Sequence, residues 1–214
     1  MEGIDKMFAE LDGVPVLART LMALQECDGI DEIVLVVREG ERPLAAKICA
    51  QYGITKTEKI VNGGSTRAES VWNGMQAVSD EAAFVAVHDG ARPFVTPELV
   101  KRVITAAKVY SAAAPGVQVK DTIKVVKNGR VVDTPKRETL YAIQTPQIFD
   151  ADLLMGALSN AMERKLAITD ECMAVEAIGG SVQIVPGSYE NIKITTPGDM
   201  AIGQAILNDR KDSK

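Results

Sequence analysis

The chain has 214 residues, 46% of them hydrophobic and 25% charged, enough for one sizeable core in a single domain. A net charge of −5 argues against a nucleic-acid surface built on phosphate contacts. No apolar run reaches the roughly 18–20 residues that cross a bilayer, and the first residues lack the basic-then-apolar layout of a secretory signal. A cytoplasmic protein is expected, without membrane or nucleic-acid partners. In that setting Cys27, Cys49 and Cys172 read as reduced core residues, and with His88 as the single histidine no zinc site can be assembled.

In chain order, the opening Met1-Glu2-Gly3-Ile4-Asp5-Lys6 shows neither the strand nor the glycine-rich turn with which a doubly wound domain usually begins. Ile33–Val37 and Phe84–Val87 are near-continuous apolar runs, as strands buried on both faces require. Residues 43–52 and 67–78 carry helical spacing. A further helix is predicted over Pro97–Tyr110, with Thr96 as N-cap, Pro97 at the first position and Glu98 in the first turn. Alternation of this kind predicts an α/β fold: a doubly wound, mostly parallel sheet with helices on both faces.

The pattern changes after Gly116. Residues 117–126 and 130–132 flank Lys127-Asn128-Gly129, and Asn-Gly is a strong hairpin signal. Polar residues interrupt this hairpin too often for a central strand, so 121–137 reads as a projecting β-arm, within a segment of about 119–140. An exposed arm is an edge hazard unless covered, and a second copy of the arm would cover it, which predicts a homodimer. Beyond Thr145-Pro146 the sequence predicts helices over Ala151–Glu163 and residues 169–178, a strand over 182–185, and a last helix from Pro197. No repeat, low-complexity tract or linker divides residues 1–214.

Three segments carry candidate chemistry. His88-Asp89-Gly90-Ala91-Arg92-Pro93 follows the most apolar strand, where ligands of open α/β sheets bind. A carboxylate there suits Mg²⁺ shared with substrate phosphates, and Arg92 offers a phosphate-matching fork. The plainer alternative is that Asp89 caps a turn and pairs with Arg92, and His88 reads better as a hydrogen-bonded spacer than as a base. Asn62-Gly63-Gly64-Ser65-Thr66-Arg67, with Ser70, is a glycine turn entering a helix, suited to anions or simply to a tight connection. It lacks the Gly-Lys-Ser/Thr ending of a Walker loop. Asn191-Ile192-Lys193-Ile194-Thr195 sets Lys193 in a predicted apolar strand, either as a solvated edge lysine or as a site cation. Thr169-Asp170-Glu171 is most simply an acidic helix start. No nucleophile–base pair is visible, so the inventory suits phosphoryl or nucleotidyl transfer, driven by positioning and charge neutralisation.

Taken together, Gly63-Gly64-x-x-Arg67-x-x-Ser70-Val71-x-Asn73-Gly74, His88-Asp89-Gly90-Ala91-Arg92-Pro93, Asp121-Thr122, Gln144-Thr145-Pro146-Gln147, Thr169-Asp170-Glu171 and Asn191-Ile192-Lys193-Ile194-Thr195 resemble, in the same order, the motifs of the methylerythritol-phosphate cytidylyltransferases. The resemblance spans Met1 to about Leu207 and implies a nucleotide-diphospho-sugar-transferase-like fold. It implies transfer of CMP from CTP to the alcohol phosphate, releasing pyrophosphate, in a dimer whose arms complete each other's sites.

Carried over by position, the resemblance implies that Gly64, Ser65 and Ser70 contact cytosine and ribose, and that Asp89 holds Mg²⁺ or another divalent cation against the CTP phosphates. Lys6 matches the family's lysine at the pentavalent phosphorus. Arg137 and Lys193 would orient the attacking phosphate, with Gly90, Arg92, Thr122 and Thr169 around the sugar alcohol, Thr122 and Arg137 coming from the partner's arm. Family members begin with a strand and a glycine-rich loop ending in Arg-Met. Only that last Met is matched, by Met1, so the strand, the loop donors and the loop arginine are expected to be missing from this chain. Gly90 stands where alanine is common. Two rival readings are a ribitol-5-phosphate cytidylyltransferase and a non-catalytic nucleotide-binding protein. Gly90-Ala91-Arg92-Pro93 and Thr169-Asp170-Glu171 favour methylerythritol phosphate over ribitol phosphate, and retention of Lys6, Asp89, Arg137 and Lys193 favours an enzyme.

Overall fold

The computed structural model describes residues 7–212. A minimal hairpin of β1 (Glu10–Leu11) and β2 (Val14–Pro15) turns through Asp12 and Gly13, both at positive φ, and leads straight into α1 (Val16–Gln25). α1 buries Val16, Leu17, Ala18, Thr20 and Leu21. Next come β3 (Ile33–Val37), α2 (Arg42–Gln51) and β4 (Thr57–Asn62), with β3 and β4 parallel. α3 (Arg67–Met75), β5 (Phe84–Val87), α4 (Pro97–Tyr110) and β6 (Ala112–Gln118) follow. The Thr96 hydroxyl accepts from the Leu99 N–H, as its sequence position predicts.

β6 leads into the arm, β7 (Val125–Lys127) and β8 (Arg130–Asp133), joined at Asn128 (φ 51°) and Gly129 (φ 73°), the left-handed pair that a two-residue hairpin needs. A 3-10 turn at Arg137–Thr139 leads back to β9 (Tyr141–Ile143) and β10 (Gln147–Asp150). The chain ends with α5 (Ala151–Glu163), α6 (Glu171–Ala177), β11 (Gln183–Pro186) and α7 (Pro197–Asp212).

The main sheet runs β11-β6-β10-β5, with β9 also on β6. Its alternation sorts the core. Ala113, Ile148 and Val185 pack on Leu99, Val100, Val103 and Ala107 of α4. Ala112, Ala114 and Phe149 face the other way, onto Leu154, Ala157 and Leu158 of α5 and Cys172 and Val175 of α6. Helices therefore cover both faces, and the α/β class holds. The sheet itself is mixed: β11 and β6 are parallel, while β10 runs antiparallel to both β5 and β6. The cause is connectivity. The arm and β9 bring the chain back along β6, so β10 enters from the opposite end.

One further difference stands against the sequence reading. Residues 191–195 form an extended segment outside any ladder, rather than a strand. One backbone hydrogen bond, from the Ile194 N–H to the Ala91 carbonyl at 2.8 Å, ties it to the turn after β5, and Ile194 itself is buried against Phe94, Leu11 and Val16. The three cysteines are buried and free, as expected. Among the described residues no helix is long and apolar enough to cross a membrane.

β3 and β4 form a separate two-stranded sheet. Ahead of β5, the Ser79 N–H donates to Glu32, just before β3, at 2.7 Å. Beyond their other ends, Arg67 after β4 reaches Asp89 after β5. β3, β4 and β5 thus run the same way, and between β3 and β5 lies a cleft of about 1950 Å³. Gly63 to Arg67, His88 to Ala91 and Lys193 line it.

Candidate active site

Asp89 is the hub. Its Oδ1 accepts from Arg67 Nη1 at 3.1 Å, its Oδ2 accepts from Arg92 Nε at 3.1 Å, and Lys193 Nζ stands 3.1 Å from the same Oδ2. Burial alone would raise its pKa, but Lys193, Arg67 and Arg92 outweigh that and hold the carboxyl at about 2. The carboxylate is ionised at any physiological pH. Arg92 also donates to the Asn191 carbonyl at 2.8 Å, so its fork is committed to structure on both sides. The plainer expectation for this residue, pairing with Asp89, is what the structure contains.

His88 behaves as a spacer. Its Nε2 faces the Arg92 carbonyl at 3.3 Å and its Nδ1 faces the Thr145 hydroxyl at 3.0 Å. A carbonyl can only accept, so Nε2 carries the proton. Thr145 then donates to Nδ1 while accepting from the Asp89 N–H at 3.0 Å. Burial holds the imidazole at about 4, neutral at pH 7. Through Thr145 the ring fixes the backbone that carries Asp89.

Lys193 reaches the cleft because its segment is clamped. Behind it, Asp199 at the start of α7 accepts from the N–H groups of Thr195 and Thr196 at 2.8 and 2.7 Å. Those donors, with the Thr195 hydroxyl, pull the Asp199 pKa down to about 2. Ahead of it, the buried Asn191 side chain donates to the Thr145 carbonyl at 2.9 Å. The solvated-edge reading of Lys193 therefore gives way to a contact with Asp89, though the side chain keeps 39% of its exposure.

The glycine turn after β4 is satisfied by its own residues. Ser70 Oγ accepts from the Gly64 N–H at 3.1 Å, and Glu69 accepts from the Ser65 N–H at 2.6 Å and from the Ser65 hydroxyl. Thr66 caps α3 through the Glu69 N–H at 3.1 Å. A Cβ on Gly64 would meet Glu69 Cβ at 2.2 Å, so only glycine fits there. Gly90 is tight for a different reason: a Cβ would meet the end of the Met7 side chain at 2.3 Å, and its carbonyl accepts from Thr20 at 2.7 Å.

The structure gathers Gly64, Ser65, Ser70, Asp89, Gly90 and Lys193 around one cleft. Arg92 stands behind Asp89. Thr122 and Arg137 are exposed on the arm, Arg137 donating to the Lys120 carbonyl at 3.0 Å, and neither lines the cleft. Thr169 is exposed just before α6. Lys6 lies outside the described residues. Sequence reasoning gave no role to Arg67, Glu171 or Gln147. Glu171, read as a first-turn acid, is fully buried and accepts from Arg67 Nη2 at 2.7 Å. Gln147 accepts from the N–H groups of Glu171 and Cys172 at 3.1 and 3.2 Å and donates to Asp170 at 3.0 Å, pinning the start of α6. The only signal for these contacts was their membership of the motifs.

The part of the cleft where the ionised Asp89 meets Arg67, Arg92 and Lys193 is suited to handling phosphates. Comparison with known proteins decides which kind. The family model described as IspD, 2-C-methyl-D-erythritol 4-phosphate cytidylyltransferase, matches residues 1–209. The chain belongs to this family. A relative in Alkaliphilus oremlandii named 2-C-methyl-D-erythritol 4-phosphate cytidylyltransferase is 42% identical over 212 residues, covering 98% of this chain and 90% of that protein. The fold is that of the 4-diphosphocytidyl-2C-methyl-D-erythritol synthase from Anaerococcus prevotii (TM-score 0.88, 33% identity, 94% of this chain and 93% of that one). The 2-C-methyl-D-erythritol 4-phosphate cytidylyltransferase of Thermus thermophilus matches with TM-score 0.81 at 32% identity, over 95% and 94% of the two chains. For a member of this cytidylyltransferase family, the cleft beside Asp89 is the candidate nucleotide site.

Proposed function

We propose that this chain transfers CMP from CTP to 2-C-methyl-D-erythritol 4-phosphate, releasing pyrophosphate, in isoprenoid precursor synthesis. The observation that carries the reading is the Asp89 carboxylate, held ionised by Arg67, Arg92 and Lys193 at the mouth of a cleft whose neighbouring wall is the Gly63-Gly64 turn. An oxygen of the methylerythritol phosphate attacks the α-phosphorus of CTP in line, and the bond to pyrophosphate breaks. Lys193 leaves Asp89 to hold the attacking phosphate, and Lys6 balances charge on the phosphorus. Gly64, Ser65 and Ser70 receive cytosine and ribose, exchanging their mutual hydrogen bonds for contacts with the nucleotide. Gly90, Arg92 and Thr169 shape the sugar-alcohol side.

Mg²⁺ fits this donor set in one way only. Among the described residues no group of three or more His, Cys, Asp or Glu side chains is arranged to hold a metal. Asp89 is a single carboxylate, and one carboxylate completed by substrate phosphates and water is how Mg²⁺ is commonly bound. Bound there, the cation would neutralise charge on the triphosphate. Asp89 would hold it with Oδ2 once Lys193 turns to the substrate.

The arm supports a homodimer within the same proposal. Ile123, Val125, Val126, Val131 and Val132 are each more than 40% exposed, an apolar strip that a second arm would cover. Thr122 and Arg137, absent from their own cleft, would then complete the partner's. A cytoplasmic setting completes the reading, supported by three buried free thiols. The test is pyrophosphate release from CTP with methylerythritol phosphate and, in parallel, ribitol 5-phosphate. Release with the first and little with the second is expected. Preference for ribitol phosphate, or none with either, overturns the substrate.

A further inference from the structure

The Arg67 guanidinium bridges two carboxylates, with Nη2 2.7 Å from Glu171 and Nη1 3.1 Å from Asp89. Glu171 is fully buried, whereas Arg67 keeps 33% side-chain exposure on the cleft wall. A buried carboxylate is costly unless paired, and among the described residues this one is paired by Arg67 alone, its Oε1 buried without a hydrogen-bond partner. The arrangement that holds it is elaborate. Gln147 grips the Glu171 and Cys172 N–H groups, and Asp170 caps the same turn through the Met173 N–H at 3.0 Å. Packing alone would be served better by an apolar side chain.

We propose that Glu171 and Arg67 form a positioning pair for Asp89, in which Glu171 neutralises Arg67 and aims it at Asp89 Oδ1, so that Arg67 is reserved for orienting the carboxylate and is not a nucleotide ligand. Three cations surround Asp89, and a flexible arginine on the wall of a phosphate site would otherwise turn to the triphosphate. With Glu171 holding one Nη and Asp89 the other, the guanidinium plane is fixed by two anions, and Oδ1 is occupied. Only Oδ2, shared by Arg92 and the partly exposed Lys193, is left to exchange a partner when substrate arrives. Neither residue touches the reacting atoms in this scheme. Both act through Asp89.

The inference rests on the proposed reaction for its kinetic consequences but not for its geometry, and the experiment separates the two. Glu171→Gln keeps shape and loses the charge; Arg67→Lys keeps charge and loses the two-way fork. Ligand-free crystal structures of both variants, set beside that of wild type, are expected to show the side chain at position 67 released from Asp89 and the Asp89 carboxylate rotated, whereas wild type keeps the contact. Steady-state kinetics on both variants are expected to show kcat down by about tenfold or more relative to wild type, with KM for CTP changed less than about threefold, the scale of effect seen when partners behind a ligating group are lost. The double variant should be no worse than the poorer single one, because both act through the same carboxylate. If Asp89 keeps its position and hydrogen bonds in both variants, or if KM for CTP rises tenfold at constant kcat, the positioning role is overturned and Arg67 binds nucleotide. Absence of turnover in wild type would instead count against the proposed reaction, and the three structures still decide the positioning.

Discussion

Lys193 Nζ stands 3.1 Å from Asp89 Oδ2, although the two are far apart along the chain. The ammonium is the largest of the attractions that keep Asp89 ionised, yet it is also the most exposed cation in the group. A contact of this kind is suited to being exchanged. Lys193→Ala should fold with a melting temperature nearly unchanged, because a partly exposed pair contributes about 0–1 kcal/mol. It should lose on the order of 3–4 kcal/mol of transition-state stabilisation, a hundredfold or more in rate, since the charge acts where water is scarce. Lys193→Arg should recover only part, a planar fork being a poor substitute for a compact ammonium. Kinetics beside a thermal melt decide it. Near-normal turnover of Lys193→Ala would move the phosphate site elsewhere.

The arm makes a prediction about mixed subunits. Arg137 and Thr122 lie outside the cleft of their own chain, whereas Lys193 lies in it. Arg137→Ala and Lys193→Ala, each inactive alone, should regain a fraction of wild-type activity when mixed and allowed to exchange, because one of the two sites in a mixed dimer is intact. Confirmed exchange with no recovery would mean that each site is built from one chain.

How much of this was legible depends on where the decisive forces are local. Ile33–Val37, Phe84–Val87, Pro97–Tyr110 and Ala151–Glu163 agree with the sequence to the residue, because an apolar run or a capping residue marks each boundary. The Asn128-Gly129 turn was equally plain. β6 was not read as beginning at Ala112, since alanine has poor strand propensity. It forms there because small residues let α4 and α5–α6 pack close on its two faces. Asp89 was legible by its place after the most apolar strand. Of its partners only Arg92, three residues on in the same turn, was legible, because Arg67 and Lys193 reach it from separate segments. Glu171 looked like any acid in a first helical turn, and only the tertiary fold buries it against Arg67.

Two glycines should respond oppositely to a methyl group. At Gly64 a Cβ would lie 2.2 Å from Glu69 Cβ and 3.1 Å from the Glu69 backbone, so the start of α3 must shift. Gly64→Ala should cost about 1–3 kcal/mol, the usual range for overpacking, and weaken nucleotide binding by disturbing the Gly64–Ser70 bond. Gly156 is exposed in the middle of α5 with nothing within 4 Å of its Cβ position. Gly156→Ala should gain about 0.5–1 kcal/mol. Urea denaturation of both variants measures this. A neutral Gly64→Ala would mean that the turn is looser than its contacts indicate.

The remaining prediction concerns acid. The chain's single histidine, His88, has its pKa lowered by burial from 6.5 to about 4. An unfolded chain takes up this proton near pH 6.5, whereas the folded protein refuses it until about pH 4. The unfolded state therefore binds more protons throughout that window, so stability is full above pH 6.5 and falls as pH drops toward 4, by roughly 2–3 kcal/mol. Asp89 adds a second window with the same sign. Its folded pKa is about 2 against 3.8 unfolded, so its contribution is present above about pH 4 and disappears as pH falls through 2. Between pH 7 and 4.5 the histidine carries this loss ahead of most carboxylates, opposed in sign by Glu171, whose carboxyl burial pushes above its ordinary value despite the pull of Arg67. Urea midpoints of metal-free protein at pH 7, 5.5 and 4.5 should fall in step, and His88→Asn, whose amide oxygen can still accept from Thr145, should flatten the decline. A wild-type midpoint that does not move across this range would mean that His88 takes up its proton in the folded state, and the neutral link through Thr145 to Asp89 would have to be abandoned.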